Sequence, residues 1–400
     1  MKKINRQLYS RMTNTTIYIN TLPVHAKSGG IKTFLMELMH AFAKRETVLF
    51  DYCIICSKLT EDLFRDFQAY KNFRIQVLDV NNLNPVKRIY YEQFRLPGIL
   101  NKKKNSILLN ICNIAIVKCR TPQVTIIQAQ LSIAAFRKLI PDEYVSTGLL
   151  HKMYYDLLLK KSIEISQKTI AVSYYMLDFL KDYKKKIVVI HEGVNLKAFS
   201  GKITNEHAFG NYKPYILCVS TLFPHKNMDK LIQAYAVFSK QSATEYKLII
   251  AGKDPDGRQL KKLKQVSAQN GVSDNVIFLN WVETDKIAAL YKNASLFVFL
   301  SSMEFFGLPV LEAMASEVPV ISSNKMSLPE VANNSAILVE PDDINIIAKE
   351  MHTVLYGDGI KDKLIDKGLE NIKKFKWSTT ANKFENIFSD INKIYSKSTL

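Results

Sequence analysis

No stretch of this chain is apolar for long enough to cross a bilayer. The longest run, around Ile107 to Val117, is broken by Asn110 and Asn113 and falls short of the ~20 residues that a span needs. The first residues, MKKINRQLYSRMTNTT, lack the apolar core of a signal peptide, so a cytoplasmic protein is expected. Cysteine is scarce and odd in number, five in 400 residues, which excludes a disulfide framework as the organising feature. Cys53 and Cys56 form a C-x-x-C, but inside FDYCIICS, which reads as a buried strand. With no second Cys pair and no His pair at zinc spacing, plain buried thiols are expected and no metal site is assigned. No G-x-G-x-x-G follows the first strand, which argues against a dinucleotide dehydrogenase. Recognition-helix, RNP, zinc-finger and heptad signatures are missing too, so nucleic acid is not an expected partner.

Acid is also in short supply. Lys plus Arg number 55 against 37 Asp plus Glu, a formal net charge of +18, and such an excess invites an anionic partner. The basic residues cluster in the first half, at Lys2-Lys3, Lys102-Lys103-Lys104, Lys160-Lys161 and Lys184-Lys185-Lys186. This is either a solvated lysine-rich surface or a face that rests on anionic lipid headgroups. With 47% hydrophobic and 23% charged residues, the chain has the balance of a soluble globular protein of two or three domains.

What is present begins with TIYIN, a short apolar strand, then a loop with Ser28-Gly29-Gly30. Ile31, Phe34, Leu35, Leu38, Met39 and Phe42 follow at spacings of three and four, the pattern of a helix with one buried face. Strand candidates continue at Val48 to Ile55, Arg74 to Leu78, Ser106 to Leu109 and Val124 to Ile127, with helical stretches at 61 to 70 and 87 to 96. Residues 149 to 183 read as two helices around the strand KTIAVS, with Ser173 as the cap of the second. Strands alternating with helices imply an α/β protein with parallel, doubly wound sheets, whose ligands belong at the carboxyl ends of the strands. The polar stretch GKITNEHAFGNYKP suggests a linker at about 197–213. The expected domains are therefore a first Rossmann-like lobe over 1–196, a second over 214–375, and a last helix over 376–400. In that helix Trp377, Ala381, Phe384, Ile387, Phe388, Ile391 and Ile394 share a face, with Ser378 as its cap.

Chemistry concentrates in SSMEFFGLPVLEAMASEVPVISS, residues 301 to 323. An apolar strand, Leu296 to Leu300, leads into a turn holding Glu304, then a helix opened by Pro309 and carrying Glu312. The N–H groups of Phe306, Gly307 and Leu308 would point out of the helix start, where the dipole favours an anion. A phosphate cradle between two carboxylates suits a nucleotide-sugar diphosphate, since carboxylates accept hydrogen bonds from ribose and sugar hydroxyls.

The run Glu304-Phe305-Phe306-Gly307-Leu308-Pro309-Val310-Leu311-Glu312-Ala313-Met314-Ala315 resembles the E-G-F-G-L-P-x-x-E-A-M-A motif of the retaining GT-B glycosyltransferases of family 4, the glycosyl transferases group 1. Only Phe305, for Gly, departs. The resemblance is dense over 215 to 343, where LCVSTLFPHKN is similar to the family's VGxLxPRKN, and patchy over 16 to 195, where His191-Glu192-Gly193-Val194-Asn195 resembles its NGVD turn. It implies a GT-B fold, two Rossmann-like lobes facing a central cleft, with the last helix packed on the first lobe. It also implies a retaining, metal-independent transfer from a nucleotide-sugar, with no cofactor. In that reading Glu304 and Lys226 are catalytic. Glu304 faces the donor sugar, Glu312 binds the ribose hydroxyls, and Lys226 meets the leaving diphosphate. Ser220 and His225 occupy the places of the family's arginine, and Gly29 and Gly30 reach the donor phosphates. The backbone at Trp281 and Val282 lies against the base, unless Trp281 is a core aromatic. Many relatives carry His-Asp where this chain has Gln128, Ala129 and Gln130, so Gln128 either bonds a sugar hydroxyl or is an ordinary strand-end glutamine. The expected acceptor is a saccharide, lipid-linked, in surface polysaccharide synthesis, met peripherally at the inner face of the cell membrane. Two rivals stand beside this reading. One is a sugar-nucleotide epimerase or hydrolase, and the other a non-catalytic GT-B-like subunit that partners another glycosyltransferase.

Overall fold

The computed structural model describes residues 15–25, 28–128, 149–180, 186–200 and 209–397. Contacts divide the chain into two units, Met1–His191 with Trp377–Leu400, and Glu192–Lys376.

The first unit holds a sheet of seven parallel strands: β1 Thr16–Asn20, β2 Asp51–Ser57, β3 Phe73–Leu78, β4 Ser106–Asn110, β5 Gln123–Ile127, β6 Lys168–Ala171 and β7 Ile187–Val189. Their order is β3-β2-β1-β4-β5-β6-β7, so the sheet reverses direction beside β1 and opens a crevice at the strand ends there. Helix α1, Gly30–Ala43, buries Phe34, Leu35, Leu38, Met39 and Phe42, as the three-and-four spacing requires. Helices α2 Pro85–Tyr90 and α3 Leu96–Leu100 follow, joined through a π-helical turn, Tyr91–Arg95. Next come α4 Leu149–Ile165 and α5 Tyr175–Phe179.

Three local expectations change. Lys58–Ala69 winds as a 3₁₀ rather than an α-helix, because a three-residue repeat stacks the buried Phe64 over Phe67. Strand β2 starts at Asp51, not Val48, which is 45% exposed. Ser173 does not cap α5, which begins after Tyr174 without a side-chain cap, and its buried hydroxyl finds no partner.

The second unit opens with α6, Leu196–Phe199, and continues with strands β8 Tyr215–Val219, β9 Lys247–Ala251, β10 Val276–Leu279, β11 Leu296–Phe299, β12 Val320–Ser323 and β13 Ile337–Val339. They form a parallel sheet in the order β10-β9-β8-β11-β12-β13. Around it lie α7 Met228–Ser239, α8 Arg258–Gln269, α9 Thr284–Lys292, α10 Leu308–Ala315, α11 Leu328–Ala332, α12 Ile344–Tyr356 and α13 Ile360–Ile372. The core packs α7 and α12 on the buried faces of β8, β9 and β11. The segment expected as linker thus starts with a helix of this unit. Phe199 of α6 sets its ring edge-on to Tyr291 of α9, 5.6 Å away, so burial of an aromatic outweighs the polar composition that follows.

The last helix, α14 Trp377–Lys397, packs within the first unit. Trp377 meets Phe34 at 5.5 Å, and Phe388 meets Phe50 at 5.8 Å and Phe42 at 6.2 Å. The helix starts one residue before Ser378, which is therefore not its cap, and the apolar stripe ends before Ile394, 66% exposed. Glu385 is instead buried on the packed face, where the Tyr52 hydroxyl donates to it at 2.9 Å and Arg45 pairs with it at 2.8 Å. Among the described residues no helix is long and apolar enough to cross a membrane.

Candidate active site

In the second unit the residues assigned to the donor gather on loops at the carboxyl ends of β8 and β11. Strand β8 ends at Val219 and the chain runs through Ser220 into a 3₁₀ turn, Pro224–Lys226. Asn227 turns it into α7 with a left-handed φ of 53°, which asparagine tolerates better than most side chains. Its amide donates to the Leu300 carbonyl at 2.7 Å, and the Ser302 N–H donates to the His225 carbonyl at 2.8 Å. These bonds tie the Lys226 turn to the Glu304 loop. The result is an ion pair between Lys226 Nζ and Glu304 Oε1, both side chains largely buried, with the ammonium 5.5 Å from the centre of the Phe299 ring.

Glu304 sits in the turn and Glu312 on α10. The turn is held by Ser327, whose hydroxyl donates to the carbonyls of Glu304 and Phe306 at 2.9 and 3.0 Å. Phe306 is buried with its ring 5.7 Å from Phe375. Gly307 caps α10 with φ 109°, and a Cβ there would come within 2.6 Å of Leu328 Cδ2. Only glycine meets both demands. No described group accepts from the N–H of Gly307 or Leu308, so the helix start presents donors. On the next turn Glu312 Oε2 accepts from the Tyr291 hydroxyl at 2.9 Å. Burial, then the charge of Glu312, holds that phenol well above its ordinary range, so it stays a donor.

His225 differs from the arginine whose place it takes. Burial and then the Lys226 charge push it down to about 3, leaving a neutral imidazole stacked on Phe223 at 5.6 Å. Trp281 and Val282 follow the edge strand β10. Trp281 is 66% exposed, so it is not a core aromatic. Their loop joins the neighbouring one through Gly252, whose N–H donates to the Leu279 and Asn280 carbonyls at 2.9 and 3.2 Å. Gly252 also lies so near Ser220 that a Cβ would stand 1.7 Å from the Ser220 carbonyl oxygen.

Gly29, Gly30 and Gln128 belong to the first unit, at the carboxyl ends of β1 and β5. Neither glycine has a left-handed φ, and a Cβ on either would meet nothing within 4 Å. The fold of this unit therefore does not demand glycine there. Gln128 is held by its N–H, which donates to Asn113 Oδ1 at 2.9 Å, while its side-chain Oε1 and Nε2 are both buried without a partner. An amide left unmatched costs free energy until something bonds it, which sets it apart from an ordinary strand-end glutamine. Ala129, Gln130, Lys2, Lys3, Lys184 and Lys185 lie outside the described residues. Cys53 and Cys56 are free and buried in β2.

One functional side chain escaped the sequence reading. Glu192, 7% exposed, opens the second unit, with Val194 N–H donating to the Phe375 carbonyl at 3.0 Å just beyond it. Burial, then the charges of Glu304 and Glu312, push its carboxyl up to about 8. It is a third acid beside the pair. Its signal was a carboxylate in HEGVN where the resembling turn carries asparagine.

Comparison with known proteins places these features. The model of the family described as glycosyl transferases group 1 matches residues 200–370. The O-antigen chain mannosyltransferase RfbU of Salmonella typhimurium is 30% identical over 298 residues, 72% of this chain and 78% of that protein. The O-antigen chain mannosyltransferase B of Escherichia coli is 31% identical over 177 residues, so the match spans 44% of this chain and 46%, under half, of that relative. Among solved structures, Anabaena Alr3699/HepE in complex with UDP and glucose superposes with a TM-score of 0.74 at 15% identity, covering 94% of this chain and all of that one. The fold is the expected α/β GT-B fold of two Rossmann-like lobes. With the Glu304-to-Ala315 motif in place and a relative matched over most of its length, the chain belongs to the glycosyl transferases group 1.

Proposed function

We propose that this glycosyltransferase moves a hexose, with retention of configuration and without a metal or other cofactor, from a nucleotide-diphosphate-sugar to a saccharide acceptor. One observation carries the reading. Lys226 and Glu304 pair beside the open N–H groups of Gly307 and Leu308, with Glu312 on the following turn. In that arrangement the diphosphate takes the ammonium and the helix start, which releases Glu304 to the hexose hydroxyls, while Glu312 and Tyr291 hold the ribose. As the bond from the anomeric carbon to the phosphate oxygen breaks, Lys226 and the N–H groups stabilise the charge on the leaving group. The acceptor hydroxyl attacks the anomeric carbon from the same face and its proton passes to the departing phosphate. Gln128 bonds a sugar hydroxyl, Gly29 and Gly30 leave room for phosphate, and the backbone at Trp281 and Val282 lies against the base.

The names of the two relatives support mannose as the hexose and a surface polysaccharide as the product. The Anabaena structure, solved with UDP and glucose, supports a nucleoside diphosphate in this fold. The acceptor is lipid-linked and met from the cytoplasmic side of the cell membrane, a location that the +18 charge supports.

The test is thermal denaturation with UDP, GDP, ADP, CMP and their sugar conjugates. A ligand at 100 times its dissociation constant adds ~2.7 kcal/mol of stability. One nucleotide should raise the melting temperature and lose its effect in Glu312→Ala. Lys226→Ala should lower turnover more than ~10-fold, since a charge-assisted contact of ~2–5 kcal/mol is removed. No response to any nucleotide would overturn the reading in favour of a non-catalytic subunit.

A further inference from the structure

The stripe Leu83, Val86, Tyr90 and Phe94 repeats at three and four, a spacing that normally buries a helix face, yet here it points to solvent. These side chains are 60%, 76%, 56% and 55% exposed, and Val117 beside them is 37% exposed. The helix that carries them is not loose. Its other face is anchored by Gln93, which donates to the Ala115 carbonyl at 3.1 Å and accepts from the Val117 N–H at 2.9 Å. Asn20 at the end of β1 donates to Glu92 at 2.8 Å. Tyr90 and Phe94 stack at 5.4 Å, so the apolar surface is preformed.

Charge around the stripe has one sign. From residue 81 to 122 the only acid is Glu92, and it is buried and paired with Arg88 at 3.5 Å. Lys87, Arg95 and Arg120 are exposed, and Lys118 holds its ammonium 4.7 Å from the centre of the Phe94 ring. The run Lys102-Lys103-Lys104 follows the end of α3 and is exposed. An acidic protein surface would match the cations alone. A bilayer interface matches cations with an aromatic and aliphatic ridge between them, because headgroups take the charge while Val86, Tyr90 and Phe94 enter the acyl boundary.

We propose that this ridge is where the first unit docks on an anionic lipid bilayer. The proposal goes beyond the transfer chemistry and survives any choice of donor. It differs from attraction by lysine runs alone, because part of the binding is apolar and resists salt.

The test is co-sedimentation of the full chain with vesicles of phosphatidylcholine alone or mixed equally with phosphatidylglycerol, at low and high salt. Binding to the mixed vesicles, weak on phosphatidylcholine, should be reduced but not abolished by salt. The double variant Val86→Glu with Phe94→Glu should lower partitioning at least ~10-fold, with melting temperature and nucleotide response unchanged. Should that variant fold poorly, Tyr90→Trp serves instead, its added emission quenched by brominated lipid in mixed vesicles. The proposal is overturned by no vesicle binding, by binding that the double variant or Tyr90→Trp does not sense, or by a self-association that the double variant abolishes in a chain that ignores vesicles. In each case the nucleotide response stands or falls by itself.

Discussion

Glu192 keeps its proton at a pH where exposed glutamates have lost theirs. Its carboxyl, about 8 in the fold against 4.5 as a free side chain, binds one more proton folded than unfolded between about pH 5 and 8. Stability of the second unit therefore falls as pH rises through that window, by as much as ~1.4 kcal/mol per pH unit. Glu192→Gln should flatten the slope, because an amide mimics the protonated acid at every pH. His225 acts with opposite sign and lower. Its folded value of about 3 lies below 6.5, so its contribution is lost as pH falls below about 6.5. Urea midpoints measured across this range separate the two, and a slope between pH 6.5 and 8 that survives in Glu192→Gln would remove Glu192 as its cause. The proximity behind this effect was not legible in the sequence. Glu192 stands far from Glu304 along the chain, and local spacing says nothing about which distant loops a sheet order brings together. Glu304 and Glu312 were legible because one turn and one helix hold both.

At the scale of elements, the turn into α10 works because Gly307 adopts a conformation closed to L side chains while Ser327 fixes the carbonyls on either side. Gly307→Ala should cost ~1–3 kcal/mol through backbone strain and push Leu328 aside, so the nucleotide response should weaken along with stability. Gly257→Ala is the control. It has φ 76° at the start of α8, but its Cβ meets nothing within 4 Å, so it should lose stability by strain alone and keep the nucleotide response. Equal damage to the response by both changes would show that the turn does not shape the site. Elements of this kind were readable beforehand wherever apolar spacing and turn residues agreed, as in β1, α1 and the strand before Glu304. Reading failed where a tertiary contact decided. Thr60, Phe64 and Phe67 wind a 3₁₀ turn, Phe199 draws a polar segment into a helix, and Glu385 lies inside because Tyr52 and Arg45 wait for it.

Over the whole molecule, the chain leaves the first unit at His191 and returns to it at Trp377, so that unit is completed only by its last helix. Phe388 is the centre of the returning contact, fully buried among Phe42, Phe50 and Phe384. Phe388→Ala should cost ~3–5 kcal/mol, the lost transfer of an aromatic ring plus the cavity left behind. The chain supplies its own reporters, since it has two tryptophans, the buried Trp377 in the first unit and the exposed Trp281 in the second. In a Trp281→Phe background the remaining emission follows the first unit, and its urea midpoint should drop with Phe388→Ala. The nucleotide response, read in the Trp281-containing chain, should persist, because the Lys226, Glu304 and Glu312 cluster is built within the second unit. A midpoint that stays where it was would mean that α14 adds little to the first unit. Loss of the nucleotide response together with the midpoint would mean that the donor site depends on the first unit's integrity.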